Sequence, residues 1–146
     1  MRLLSFLFGA MFSLNAPAYA DHEVVVASEN LPAKVTAYVS TNFPQNTITH
    51  ATKELEGLGW EHKVWLNQGF VLEFNRKNNV VDIKGSTELP ASVILQQIRD
   101  DVATRYPGCQ IMEWELNERT ATQDVKLSNG IELKYNMAGV FLGIDD

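Results

Sequence analysis

Val64 and Leu66, then Phe70, Leu72 and Phe74, fall at alternate positions on either side of Asn67-Gln68-Gly69. A period of two interrupted by a Gly-centred turn is the pattern of a β-hairpin. Sixty-one residues later the phrase returns as Val125 to Asn136, with five of its twelve positions identical and Phe74 replaced by Tyr135. The chain therefore reads as one hairpin-bearing unit used twice. The alternation also assigns faces. Val64, Leu66, Phe70, Leu72 and Phe74 point one way, as do Val125, Leu127, Ile131, Leu133 and Tyr135. The opposite face carries Glu61, Lys63, Trp65, Val71 and Glu73, then Asp124, Lys126, Ser128, Glu132 and Lys134.

Around each hairpin the period changes. Leu31, Val35, Tyr38, Val39 and Phe43 recur at helical spacing. Asn30 is placed to cap this helix and Pro32 to sit in its first turn. Asn42-Phe43-Pro44 ends it, because the residue before proline is pushed away from helical angles. Strands are expected from Thr47 to Leu55, Trp60 to Asn67, Phe70 to Arg76 and Val80 to Lys84. Leu89-Pro90-Ala91 then restates Leu31-Pro32-Ala33 at a shift of 58, but Tyr106-Pro107 restates Phe43-Pro44 at a shift of 63. The second helix, with Val93, Ile94, Ile98, Val102 and Tyr106, is therefore expected to be longer by five residues. Four more strands follow, near Gln110–Glu118, Ala121–Ser128, Ile131–Asn136 and Val140–Ile144. The phase of Trp114 stays open: Ile111 lies three residues before it, which a regular strand cannot place on the same face, so a bulge is implied. Val24-Val25-Val26 offers a further edge strand.

The fold expected is α+β, with two tandem repeats of one helix plus a four-stranded antiparallel meander. The repeats join into one curved, eight-stranded sheet with the helices on one face. The divisions are a lead-in at 21–30, a first repeat at 31–84, a hinge at 85–88 and a second repeat at 89–146. Ahead of them, residues 1–20 read as a secretory signal. Arg2 gives the positive start, Leu3 to Leu14 the apolar run, and Ala18-Tyr19-Ala20 the small-x-small cleavage site. The run is too short to span a membrane. The expected location is periplasmic or secreted, with no membrane insertion after cleavage.

Composition narrows the function. The chain carries a formal net charge of −6, one unit more negative once Arg2 leaves with the signal. That balance disfavours nucleic acid and anionic membrane as partners and favours a soluble chain. Cys109 is the single cysteine, so an exported chain has no internal disulfide and must rely on packing. It reads as a small buried apolar residue rather than a reactive thiol. His22, His50 and His62 show no metal-ligand spacing, and no calcium-loop spacing, Gly-x-Ser-x-Gly or adjacent Cys–His pair is present. Asp100-Asp101 reads as a solvated helix face and Asp145-Asp146 as an acidic terminus. Neither an enzyme, a metal nor a cofactor is expected.

The ordered phrases Leu-Pro-x-x-Val, aromatic-Pro, Ile, and Val-x-Leu-x-x-Gly-x-x-Leu-x-aromatic, given twice, resemble the PepSY-like, β-lactamase-inhibitor-like group of exported proteins. The resemblance covers nearly all of Leu31 to Asp146. It implies tandem units, each a helix packed on a four-stranded sheet. It implies no established activity, since fold does not carry function. β-Lactamase inhibitors of this shape are disulfide-bonded, as this chain is not.

What the residues do offer is an open sheet face with a tryptophan on it. Aromatic side chains on such a face anchor partners. The expectation is an exported, non-enzymatic binding module for a protein or peptide, an inhibitor or regulator of a cell-envelope protein such as a protease or hydrolase. Trp65 would be the anchor, with Lys63, Glu73, Asp124, Lys126 and Lys134 around it. The alternative is a small-ligand or envelope-stress sensor, with a modest pocket between helices and sheet, which a sizeable apolar cavity under the helices would favour.

Overall fold

The computed structural model describes residues 22–145. The expected signal peptide and cleavage site, and Asp146, lie outside them. Among the described residues there are two α-helices and one open antiparallel sheet of nine strands. The elements are β1 (Glu23–Val25), α1 (Ala33–Asn42), β2 (Ile48–Glu56), β3 (Gly59–Leu66), β4 (Val71–Phe74) and β5 (Val80–Lys84). Then come α2 (Gln96–Arg105), β6 (Ile111–Asn117), β7 (Thr122–Leu127), β8 (Glu132–Asn136) and β9 (Phe141–Asp145). Spatial order equals sequence order, from β1 at one edge to β9 at the other.

Nine strands stand where eight were expected. The extra one is β1, paired with β2 through Glu23–Glu54, Val24–Lys53 and Val25–Thr52. It precedes α1 as β5 precedes α2, so each helix bridges two neighbouring antiparallel strands.

Alternation builds the core. Ala51, Val64, Leu72, Ile83, Trp114, Val125, Leu133 and Ile144 oppose one another in register across eight consecutive strands. All but Ile144, on the edge strand, are buried. Val35 and Val39 of α1 and Ile98 and Val102 of α2 complete the same apolar cluster from the helix side. A bulge between Ile111 and Glu113 resets the phase of β6 and turns Trp114 inward. Its indole N–H donates to Gln123 Oε1 at 2.8 Å, so the buried polar edge is satisfied. A matching irregularity lies between Ile48 and His50 in β2.

Turns repeat as well. Asn75 Oδ1 accepts from the backbone N–H groups of Lys77 and Asn79, and Asn136 Oδ1 accepts from those of Ala138 and Val140. The side chain that closes each repeated phrase thus also closes the turn after it. Gly69 and Gly130 sit at φ of +84° and +88°, in the left-handed region that a side chain disfavours.

The helix ends differ from expectation. Pro32 occupies the N-cap position of α1 instead of its first turn, and Asn30 lies in a preceding 3₁₀ turn without capping. The second helix is not longer: both have ten residues. The five extra residues form a 3₁₀ turn at Ala91–Val93 and an extended link through Ile94 and Leu95. Two successive β-branched residues, Val93 and Ile94, disfavour helix there. Asp101, expected on a solvated face, is instead a tie to the sheet. Its Oδ2 accepts from the Tyr135 hydroxyl at 2.8 Å and from Arg105 Nε at 2.7 Å. Burial first, and then this bond to Asp101, push the Tyr135 hydroxyl pKa well above its ordinary value.

Two outcomes follow from this packing. Leu66→Ala and Leu127→Ala each remove a nearly sealed side chain and should each cost about 2–5 kcal/mol in urea unfolding. Tyr135→Phe should cost about 1–3 kcal/mol by the same assay, since it leaves the apolar ring in place but removes a hydrogen bond to a carboxylate.

Candidate functional site

Both helices bury their apolar residues in the same cluster as the inward side chains of the sheet, and the other face of the sheet carries the charged residues. One row on that face runs Thr52, Lys63, Glu73, Asp82, Glu115, Asp124, Lys134, each residue opposite the next on the adjoining strand. Neighbours in such a row stand about 4.8 Å apart along the hydrogen-bonding direction. A parallel row runs His50, Trp65, Val71, Lys84, Glu113, Lys126, Glu132 and Asp145. The six residues singled out from sequence thus lie on two adjacent rows: Lys63, Glu73, Asp124 and Lys134 on the first, Trp65 and Lys126 on the second.

Trp65 is half-buried on this face. The His50 ring tilts against it with centroids 4.9 Å apart, and Lys63 Nζ stands 5.2 Å from the indole centroid. Val71 is its cross-strand neighbour on the far side. Lys63, Trp65 and Glu73 share in the wall of a shallow hollow of about 270 Å³.

The ion pairs show a reversal. Lys63 Nζ lies 3.8 Å from Glu73 Oε2, and Lys134 Nζ lies 3.4 Å from Asp124 Oδ1. Positions 63 and 124, each one residue ahead of the repeated phrase, correspond at the same shift of 61 as do 73 and 134 within it. The same cross-strand pair is therefore kept with its charges exchanged. Lys134 also reaches Asp145 Oδ2 at 3.5 Å.

Two residues that sequence reasoning passed over stand between these pairs. Asp82 on β5 faces Glu115 on β6 in direct register. Like charges in opposed positions destabilise a sheet. Burial, reinforced by Glu73, Glu115 and Glu113 against the opposing pull of Lys84, raises the Asp82 carboxyl pKa to about 6. Asp82 was legible, since Ile83 points inward and its neighbour must point out. Glu115 was not, because its side depends on the bulge that fixes Trp114. A hollow of about 150 Å³ lies here, walled in part by Asp82, Glu113, Glu115 and Asp124.

On the helix side, His62 is buried, and burial followed by the nearby Lys53 charge lowers its pKa. Cys109 is a half-exposed free thiol. No group of three or more His, Cys, Asp or Glu side chains among the described residues is placed to hold a metal ion.

These features define an α+β protein whose sheet face away from the helices, uncovered among the described residues, charged and carrying a half-buried tryptophan, is its candidate functional surface. The chain belongs to the PepSY-like family: the family described as "Putative beta-lactamase-inhibitor-like, PepSY-like" matches residues 19–82 and again residues 60–143. Three solved structures share the fold. One, a "putative periplasmic protein" of the DUF2874 family from Bacteroides vulgatus, is 28% identical with a TM-score of 0.78, over 88% of this chain and 100% of that one. A second, a "putative calcium-regulated periplasmic protein" from Bacteroides thetaiotaomicron, is 25% identical with a TM-score of 0.79, over 88% and 100%. A third, a "putative periplasmic protein of unknown function" from Bacteroides vulgatus, is 25% identical with a TM-score of 0.77, over 85% and 99%. No curated protein matches the chain. Among the described residues no helix is long and apolar enough to cross a membrane.

The raised Asp82 carboxyl, held up first by burial and next by Glu73, makes a pH test. In the folded chain Asp82 keeps its proton up to about pH 6, whereas unfolded it releases it near its ordinary value of 3.8. Its share of stability therefore falls as pH rises from about 4 to about 6 and stays reduced above. Asp82→Asn should raise stability at pH 8 by about 1 kcal/mol, the shift being discounted for a half-exposed group. At pH 4 the variant and the natural chain should agree. Urea midpoints at the two values check this; an equal difference at both would remove the charge explanation.

Proposed function

We propose that the mature chain is a periplasmic, non-enzymatic binding module whose open sheet face grips a protein or peptide. The observation that carries this reading is the one-sided placement of the helices, which leaves the charged face without a cover from the described chain. Trp65 is the anchor, rigid because His50 and Lys63 brace it. Lys63, Glu73, Asp124, Lys126 and Lys134 set orientation around it, as charged residues at an interface rim do. The partner is a cell-envelope protein, such as a protease or hydrolase that the module holds in check.

The periplasmic assignment draws on the descriptions of the three related structures and on the signal-like pattern of residues 1–20. The reading as two tandem units, 31–84 and 89–146 about a hinge at 85–88, draws on the repeated phrase and the twin Asn-closed turns. The non-enzymatic reading draws on the absence of a clustered catalytic set in the sequence and on the family's inhibitor-like description.

Trp65→Ala tests the proposal. The change should cost about 1 kcal/mol or less in stability, because the side chain lies outside the core. It should weaken partner capture from periplasmic extract at least about tenfold. A photo-crosslinking residue at Lys126 should label the same partner, and one at Lys34 on α1 should not. Undiminished capture by the Trp65 variant, or labelling confined to position 34, would overturn the proposal.

A further inference from the structure

The five extra residues ahead of the second helix have a structural result. In the first half, Leu31-Pro32 leads directly into α1 at Ala33. In the second, Leu89-Pro90 is followed by the 3₁₀ turn and the extended Ile94-Leu95 before α2 begins at Gln96. Ala91 and Ile94 of this link form part of the wall of a cleft of about 470 Å³ beside α2. Leu89, Ile94, Val102 and Ile111 supply a buried apolar lining. The volume is in the range of small-molecule sites.

One cation stands in that wall. Arg99 is half-buried, donating from Nε to the Ile94 carbonyl at 3.3 Å and from one terminal nitrogen to Gln96 Oε1 at 2.8 Å. These two bonds fix the guanidinium plane. Among the described residues no carboxylate forms an ion pair with it. Glu88 also lines the cleft, but it is exposed at the rim, where water and salt screen it. Fixed, half-buried and without a carboxylate, Arg99 is suited to receive one, since a guanidinium matches carboxylate geometry with paired N–H donors.

We propose that this cleft binds a small apolar monocarboxylate, its hydrocarbon body on Leu89, Ile94, Val102 and Ile111 and its carboxylate on Arg99. The site lies on the helix side, apart from the face around Trp65, and stands or falls independently of it.

Amide-resolved NMR titration of the mature chain with octanoate is the test. Saturable shifts are expected at Leu89, Ile94, Val102 and Cys109, with half-saturation below about 1 mM. Octanamide, of the same length without the charge, should bind at least about tenfold more weakly. Arg99→Gln should lose a similar factor for octanoate while leaving octanamide unchanged. Ala103→Phe, which fills the cleft from its exposed side, should abolish both. Trp65→Ala should bind octanoate as the natural chain does. Absence of saturation at 5 mM, equal affinity for acid and amide, or shifts centred on the open sheet face would overturn the proposal. The comparison of acid with amide uses the unaltered chain, so it decides even where Arg99→Gln fails to fold.

Discussion

Three residue pairs join the halves of the sheet: Asp82–Glu115, Ile83–Trp114 and Lys84–Glu113. They are the narrow point on which a single core depends. On the inner side Ile83 meets Trp114, and the apolar row continues without a break from β2 to β8. On the outer side the same pairing sets two carboxylates against each other. One β-pairing thus does opposite things on its two faces. Burial of apolar area outweighs like-charge repulsion in a partly solvated setting, because the first is of order 2 kcal/mol per large side chain and the second is screened. The seam can therefore carry an electrostatic feature that the fold tolerates.

Much of this was legible in the sequence because alternation is a strong signal. Strands β2 to β9, the inward residues of the hairpins and the outward position of Trp65 all follow from a period of two. The bulge before Trp114 was implied by an apolar spacing that a regular strand cannot satisfy, and it lies between Ile111 and Glu113. Where the reading failed, the missing information was tertiary. β1 falls where Val24-Val25-Val26 offered an edge strand, but no turn signal announced its pairing with β2. The five-residue insertion preserved an apolar count compatible with helix, yet Val93 and Ile94 lie outside it. Asp101 looked like any acidic residue on a helix until a tyrosine from β8 was found against it. The candidate surface was half legible: its members follow from alternation, but their order across the sheet, and the insertion of Asp82 and Glu115 among them, depend on register.

The reversed ion pair separates what folding requires from what the surface displays. Positions 63 and 73, and 124 and 134, need opposite charges to stand opposite one another. Either polarity satisfies that need. The result is four consecutive carboxylates, Glu73, Asp82, Glu115 and Asp124, between Lys63 and Lys134, whereas a faithful copy would put a lysine at 124 and a carboxylate at 134. The two halves share a scaffold and present different faces.

Spatial order identical to sequence order has a kinetic consequence. Each hairpin closes a short loop, and only the two helix-bearing segments must span farther before their flanking strands meet. Closure entropy grows slowly with length, about 0.6 kcal/mol for each doubling. Contacts near in sequence favour rapid folding for a sheet of this breadth. A topology without threading also lets a further hairpin be appended at either rim without rerouting any strand already in place.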